Sequence, residues 1–575
     1  MLTVTRLTDA EYLILSVALS IDEYYAGVGE SPGVWVGKWS ESLGLAGVVE
    51  ADELRAVVEG KHPTTGEDLL AGSRPRSVRA FDLTFSSPKS VSLLWAFATE
   101  PVAEQVAAAH RDAVEAALGF LEERAPVARV QSQGVRRRVA TEGWVVGGFV
   151  HRTSREGDPQ LHSHCLVPNL VRRSGDGRFV AFDAGPLFEW ARAAGSVYQS
   201  ELQRSLSLRL GVTWGPDRNN TREITGFDRS QLRAFSKRSV QIEAELEAKG
   251  AVYESPALRM QADDEASLAT RHRKDHSLTP SLLQARWQAE ADEISLAAGA
   301  DLEQKVCWGD PVLEAPGWEE ITTALVDPEA GLCAHSACFT RADVVEHVCA
   351  ISGGRLSVEE VVAAADRFLE SDLAVRLTPD PDASRSRAAQ WSTAAHRALE
   401  DRTLALMDTV ASRPAPAISA AVVDVVLAGE PCLGGDQIEA VRVLAGEGGS
   451  LRAVLAPAGY GKTMMLHTAA NAAAAEGRPV VAVATTGQGG GRAVRRRFGR
   501  AHHRTVAYRP GERAALGGND RGVGRDLPDP NRGGRGGPGR GGRLSGRAAV
   551  GAGRPPPIPA RRGRRRSGSH REPGR

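Results

Sequence analysis

Apolar and polar positions alternate most sharply in three short stretches of the N-terminal half. Phe81-Asp82-Leu83-Thr84-Phe85 alternates strictly, which predicts a half-buried strand with Asp82 and Thr84 on one face. Gly143 to Val150 (GWVVGGFV) is rich in β-formers and ends directly at His151. Leu161-His162-Ser163-His164-Cys165-Leu166-Val167 is an apolar run with two histidines at i and i+2, which a strand points the same way. Between the last two stretches, Gly157-Asp158-Pro159 is turn chemistry. The pattern predicts an antiparallel hairpin with His151, His162 and His164 on one face, near enough to share one cation. Three neutral imidazoles leave coordination positions open, as catalytic metal sites do. The bland alternative is a strand whose histidines only face solvent, and three rings on one face weigh against it.

Met1 to Leu7 reads as a further short strand. Thr8 with Glu11 is a capping box opening a helix whose apolar stripe includes Leu13, Ile14, Val17 and Ile21. That helix ends at Asp22-Glu23-Tyr24-Tyr25-Ala26-Gly27, with Gly27 suited to the C-cap. Helical periodicity also covers Pro101 to Ala125, Ala184 to Leu210 and Gln231 to Gly250. Asp82 suits the orienting of a ligand imidazole through its far ring nitrogen. Lys89, where a Ser-Ser-Pro loop enters an apolar helix, suits phosphate binding, and so does a small basic patch of Arg233, Lys237 and Arg238. For each of these charges a solvated position is the competing account. Residues 296–430 alternate helices with turns at Pro311, Pro316, Pro328, Pro379, Pro414 and Pro416, and read as a helical accessory domain and linker.

A second chemical motif lies near residue 460. Leu451 to Leu455 reads as a buried strand, followed by Ala456-Pro457-Ala458-Gly459-Tyr460-Gly461-Lys462-Thr463, a helix, and a second strand from Pro479 to Ala484. Strand, Gly-rich loop, helix, strand is a phosphate-binding unit: the glycines free the loop amides, Lys462 reaches the terminal phosphates, and Thr463 holds Mg²⁺. After Thr463 no apolar strand ends in the Asp-Glu that ATP hydrolysis requires, so 431–486 is expected to be an incomplete ATPase unit. Weak ATP/Mg binding is the most it should show.

Composition changes the picture at Gly487. The 89 residues from there on hold 23 Arg, 23 Gly and 5 acidic residues, so 487–575 carries about +18 and balances −18 upstream, within a net charge of zero. Such a stretch cannot build a core and is expected to be disordered. It reads either as a nucleic-acid tail or, preferably, as the product of a shifted reading frame in a GC-rich gene. The six cysteines show no paired framework, which fits a reduced cytoplasm, and no stretch of eighteen apolar residues predicts membrane insertion. Cys333, His335 and Cys338 lack a second ligand cluster, so a zinc site there is disfavoured.

Taken together, Tyr24-Tyr25, FDLTFSSPKS (Phe81 to Ser90) and HRTSREGDPQLHSHCLVPN (His151 to Asn169) resemble the TrwC-type conjugative relaxases, the MobF family of HUH endonucleases. The resemblance covers roughly residues 1 to 295. It implies an α+β HUH-type fold, an antiparallel sheet flanked by helices, with His151, His162 and His164 as metal ligands. It further implies Tyr24 or Tyr25 as nucleophile and Asp82 as the carboxylate behind the metal. The implied substrate is single-stranded DNA at a transfer origin, with conjugation machinery and accessory DNA-binding proteins as partners. Ser163 stands where the wider class carries a hydrophobic residue, and one tyrosine pair is present where family members often carry two. The loop at 456–463 resembles that of superfamily 1 helicases, and Gln437 their adenine-contacting glutamine. Three imidazoles suit Mn²⁺, Zn²⁺ or Ni²⁺ better than Mg²⁺. The competing readings are an HUH replication initiator or transposase, and a non-catalytic remnant of a frameshifted relaxase-helicase gene.

Overall fold

A computed structural model describes residues 1–8, 32–71, 76–132, 135–218, 221–248, 262, 265–266, 280–306, 313–378, 388–457 and 459–481. Its organising element is a five-stranded antiparallel sheet, built from β1 (Leu2–Leu7), β2 (Val34–Val36), β3 (Ala80–Ser86), β6 (Val146–Thr153) and β7 (Pro159–Pro168). The order across it is β1-β3-β7-β6-β2, so the two histidine strands sit centrally. A separate ribbon, β4 (Val127–Ser132) and β5 (Val135–Ala140), stands apart from it.

Strict alternation divides the sheet between two environments. Phe81, Leu83, Phe85, Leu161, Cys165 and Val167 enter the main core, where the helices Lys89–Phe97, Glu100–Glu122 and Ala184–Leu210 cover them. Each fully buried Phe or Leu there contributes roughly 1.5–3 kcal/mol. On the opposite face, Ala80, Phe149 and Leu166 join Trp35, Leu54 and Val58 in a smaller apolar cluster under the helix Ala51–Glu59. That cover stops short of the other end of β6 and β7. Among the described residues no helix covers that end, and it carries the histidines.

Helix boundaries follow the periodicity closely at Glu100–Glu122 and coincide with it at Ala184–Leu210. The helix expected over Gln231 to Gly250 is instead two, Arg229–Ala234 and Lys237–Ala248. The break has a packing cause: Phe235 is fully buried against Phe97, ring centroids 5.4 Å apart. Two residues on, the Lys237 amide donates to Asp158, from another part of the chain. The core does not end near residue 295. Arg341–Ser352 packs on Ala184–Leu210, and the same cluster continues through Phe368. The described residues of 296–430 are mostly helical, and among them Ala374–Arg376 pairs with Trp391–Thr393.

The phosphate-loop region departs most from expectation. Residues 451–457 and 479–481 belong to no strand, and Leu455 is 98% exposed. A strand needs a ladder, and among the described residues no neighbour supplies one here. Its helices Ala420–Ala428, Gly435–Ala445 and Lys462–Ala475 share a small core of Val423, Leu427, Val441, Met465 and Ala472. No helix among the described residues is long and apolar enough to cross a membrane.

Candidate functional site

Strand pairing brings the histidines together. In the β6–β7 ladder His151 faces His162 directly and Phe149 faces His164, while β3 places Thr84 beside His164. The three ring centroids form a near-equilateral triangle of 5.3, 4.9 and 5.1 Å. One nitrogen from each ring lies within 4.8 Å of the others, and all three side chains are half-buried. It is the one such group of potential ligands among the described residues, and Cys333 and Cys338 take part in none.

Hydrogen bonds fix which nitrogen two of the rings offer. His164 Nδ1 lies 2.8 and 3.0 Å from the Asp82 carboxylate oxygens. A carboxylate only accepts, so Nδ1 carries the hydrogen and Nε2 keeps its lone pair. Thr84 Oγ1 donates to Asp82 Oδ1 at 3.2 Å, which steadies the carboxylate. His162 Nδ1 likewise faces the Gln160 carbonyl at 2.9 Å, so Nδ1 carries the hydrogen and Nε2 the lone pair. Two of three rings are thus held in the tautomer a cation needs. The donor set fits a divalent ion.

Ser163, between those histidines, points to the other side of the sheet and is buried. Its Oγ lies 2.8 Å from His110 Nε2, and His110 Nδ1 lies 2.8 Å from the Tyr198 hydroxyl. Burial, with a smaller contribution from the charge of His162, brings the His110 pKa down to about 3. A serine is therefore required by its polar partner where a hydrophobic residue would leave buried polar atoms unmatched. Sequence reasoning missed His110. The available signal was a lone polar residue on the apolar stripe formed by Val106, Ala109, Ala113 and Ala117.

The other expected residues scatter. Tyr24 and Tyr25 lie outside the described residues. The segment carrying them leaves from β1 at one edge of the sheet and re-enters at β2 at the other, so its ends bracket the histidine strands. Lys89 is not displayed for a phosphate: its Nζ donates to the Pro159 carbonyl at 2.8 Å, and burial lowers its pKa to about 8. The first-turn amide beside it, Ser90 N–H, is already taken by Glu223 at 2.8 Å. Lys237 is neutralised by Asp158 and Glu290, both within 2.8 Å. Arg233 pairs with Glu243, and Arg238 is half-buried in the following turn. The basic patch is thus largely spent on internal pairs.

At the second motif, Gly459 and Gly461 both take positive φ, +82° and +70°. The positive φ favours glycine at both positions, while a Cβ on Gly461 would meet only the flexible end of the Gln437 side chain. Gln437 donates to Tyr460 O at 2.7 Å and thereby meets the loop. Lys462 Nζ folds back onto Ala456 O and Pro457 O, each at 2.8 Å, while Thr463 is exposed.

An antiparallel sheet flanked by helices, with three imidazoles converging on one end of one face, is the arrangement of an HUH-type relaxase. The sequence profile of the TrwC relaxase matches residues 8–294, and the chain belongs to that family. A profile described as an AAA domain matches residues 432–514, which runs past the compositional break at 487. The multifunctional conjugation protein TraI of Escherichia coli is 30% identical over 338 residues, 56% of this chain and 18% of that protein. TraI of E. coli strain K12 is 29% identical over the same length and shares. The chain therefore spans under a fifth of the length of these curated relatives, 18%. Among solved structures, conjugative relaxase TrwC in complex with oriT DNA, metal-free, is 32% identical, with 51% of this chain and 99% of that one covered and a TM-score of 0.45. A copper-bound TrwC–oriT complex is 34% identical over the same shares, with a TM-score of 0.45.

Proposed function

We propose that the chain is a strand-specific DNA relaxase that nicks single-stranded DNA at a transfer origin and so initiates conjugative transfer. One observation carries this: three imidazoles, two with their far nitrogens tied down by Asp82 and Gln160, converge on one open face of a family-typical sheet. His151, His162 and His164 would hold a divalent ion, with Asp82 orienting His164. Bound there, such an ion would supply Lewis acidity to a phosphate oxygen. Tyr24 or Tyr25 then attacks through Oη. The Oη–P bond forms, the P–O3′ bond breaks, and the proton lost by the phenol ends on the departing 3′-oxygen. The 5′-phosphotyrosyl ester conserves the bond energy, so a 3′-hydroxyl can reverse the step. A phenol with an ordinary pKa near 10 needs that electrophilic help.

Mn²⁺, Zn²⁺ and Ni²⁺ suit this donor set, with Mg²⁺ the weaker fit. We read the domains as a relaxase within 1–295, a helical region over 296–430 whose part through Phe368 shares the relaxase core, and a phosphate-loop unit from 431 that packs on Ala420–Ala428. For that unit we infer weak nucleotide binding and negligible hydrolysis, since Lys462 folds onto its own loop and the residues leading into the loop, 451–457, form no strand. The five cysteines among the described residues are free thiols, which supports a reducing cytoplasmic setting. The test uses the whole chain, a labelled origin oligonucleotide and Mn²⁺. An adduct that survives denaturation and disappears with Tyr24→Phe or Tyr25→Phe supports the reading; DNA cut without any adduct contradicts it.

A further inference from the structure

The turn that joins the two histidine strands is held by residues far along the chain. Asp158 is 1% exposed. Its Oδ2 accepts the Lys237 backbone N–H at 2.8 Å, and its Oδ1 accepts the Lys237 ammonium at 2.8 Å. The same ammonium donates to Glu290 Oε2 at 2.6 Å, and Arg286 Nε donates to Glu290 Oε1 at 2.9 Å. One helical turn away from Glu290, Trp287 Nε1 donates to Gly157 O at 2.6 Å. Lys89 Nζ holds the turn's last carbonyl, that of Pro159. A β-hairpin turn ordinarily needs none of this, since its own ladder sets its register.

The reason for the clamp lies in the ladder beside it. Between His151 and Thr153 the β6–β7 register shifts. A bulge adds a residue to one strand and re-aims the side chains next to it, and a one-residue slip sends a side chain to the other face. His151 is the last residue in regular pairing before that irregularity. Where the turn is anchored therefore decides where His151 points.

We propose that Asp158 and Lys237 are positioning residues for the three-histidine centre. Their ion pair holds the bulged turn in the register that sets His151 against His162 and His164. The inference rests on the reading of that triad as a divalent-cation site. Neither residue touches a histidine; both act through the turn. A carboxylate buried this deeply needs its matched cation, so removing Lys237 alone strands a charge, whereas removing both charges does not.

The test titrates Mn²⁺ into the full chain, following the spectroscopic signal of the free ion, with amide hydrogen exchange measured over residues 151–164. Lys237→Met, the double variant Asp158→Asn/Lys237→Met, and Lys237→Arg are compared below their unfolding temperatures. We expect the first two to bind Mn²⁺ about tenfold more weakly, with faster exchange in the turn, and Lys237→Arg to recover most of the affinity. Should Lys237→Met fail to fold, the double variant decides. A folded double variant that binds Mn²⁺ like the unaltered chain overturns the proposal, and so does weaker binding with unchanged exchange. No Mn²⁺ uptake by the unaltered chain overturns the metal reading itself.

Discussion

The histidine hairpin occupies the middle of a five-stranded sheet, paired on both sides, whereas the phosphate loop follows a stretch that belongs to no strand. Both motifs are plain in the sequence. At the hairpin, each histidine is placed by a ladder partner, and two are further fixed by a carboxylate or carbonyl behind the ring. At the loop, Leu455 is 98% exposed and the lysine meant for phosphate bonds its own backbone. Motif residues supply the chemistry. The surrounding ladder supplies the fixed distances that make the chemistry fast.

The contrast can be broken in four places. The largest effect should come from His164→Ala or His162→Ala, which removes a donor and should lower nicking by on the order of 10³-fold. A nicking assay in which either variant keeps wild-type rates would deny the metal a role. Asp82→Asn keeps the shape but weakens the bond that sets the His164 tautomer. Metal affinity should fall by roughly 10–100-fold with little change in thermal stability; an unchanged affinity would make Asp82 a bystander.

The third effect is one of pH. His110 is held neutral in the fold at a pKa of about 3, below its ordinary 6.5, so the unfolded chain binds the extra proton. Its stabilising contribution is complete above about pH 6.5 and is lost as pH falls toward 3. Between pH 7 and 5 that loss should be about 2 kcal/mol. Urea unfolding of His110→Gln should show a correspondingly shallower decline than the unaltered chain, and parallel declines would refute the assignment. The smallest effect is at the loop: Lys462→Ala should leave nicking untouched and change nucleotide binding by less than about threefold. A robust DNA-stimulated ATPase that vanishes in this variant would show the loop to be built after all.

Period-two alternation made Asp82, Thr84 and the histidine face legible, because a strand's two faces are fixed by local geometry alone. The long helices were legible for the same reason. What stayed hidden depends on partners distant in sequence. Ser163 is explained only by His110, 53 residues away, and Lys237 turns inward only because Asp158 lies 79 residues upstream. Phe235 splits an otherwise continuous helical pattern because Phe97 receives it. The stretch from Leu451 to Leu455 has a strand's composition, yet composition cannot provide the neighbour that a strand must bond.

The most direct measurement is the stoichiometry of ion binding by the chain and by His151→Ala, His162→Ala and His164→Ala. The account predicts one tightly bound Mn²⁺ per chain and a severe loss of affinity in each of the three variants. Full-strength binding that survives His151→Ala, or no binding at all, would contradict it.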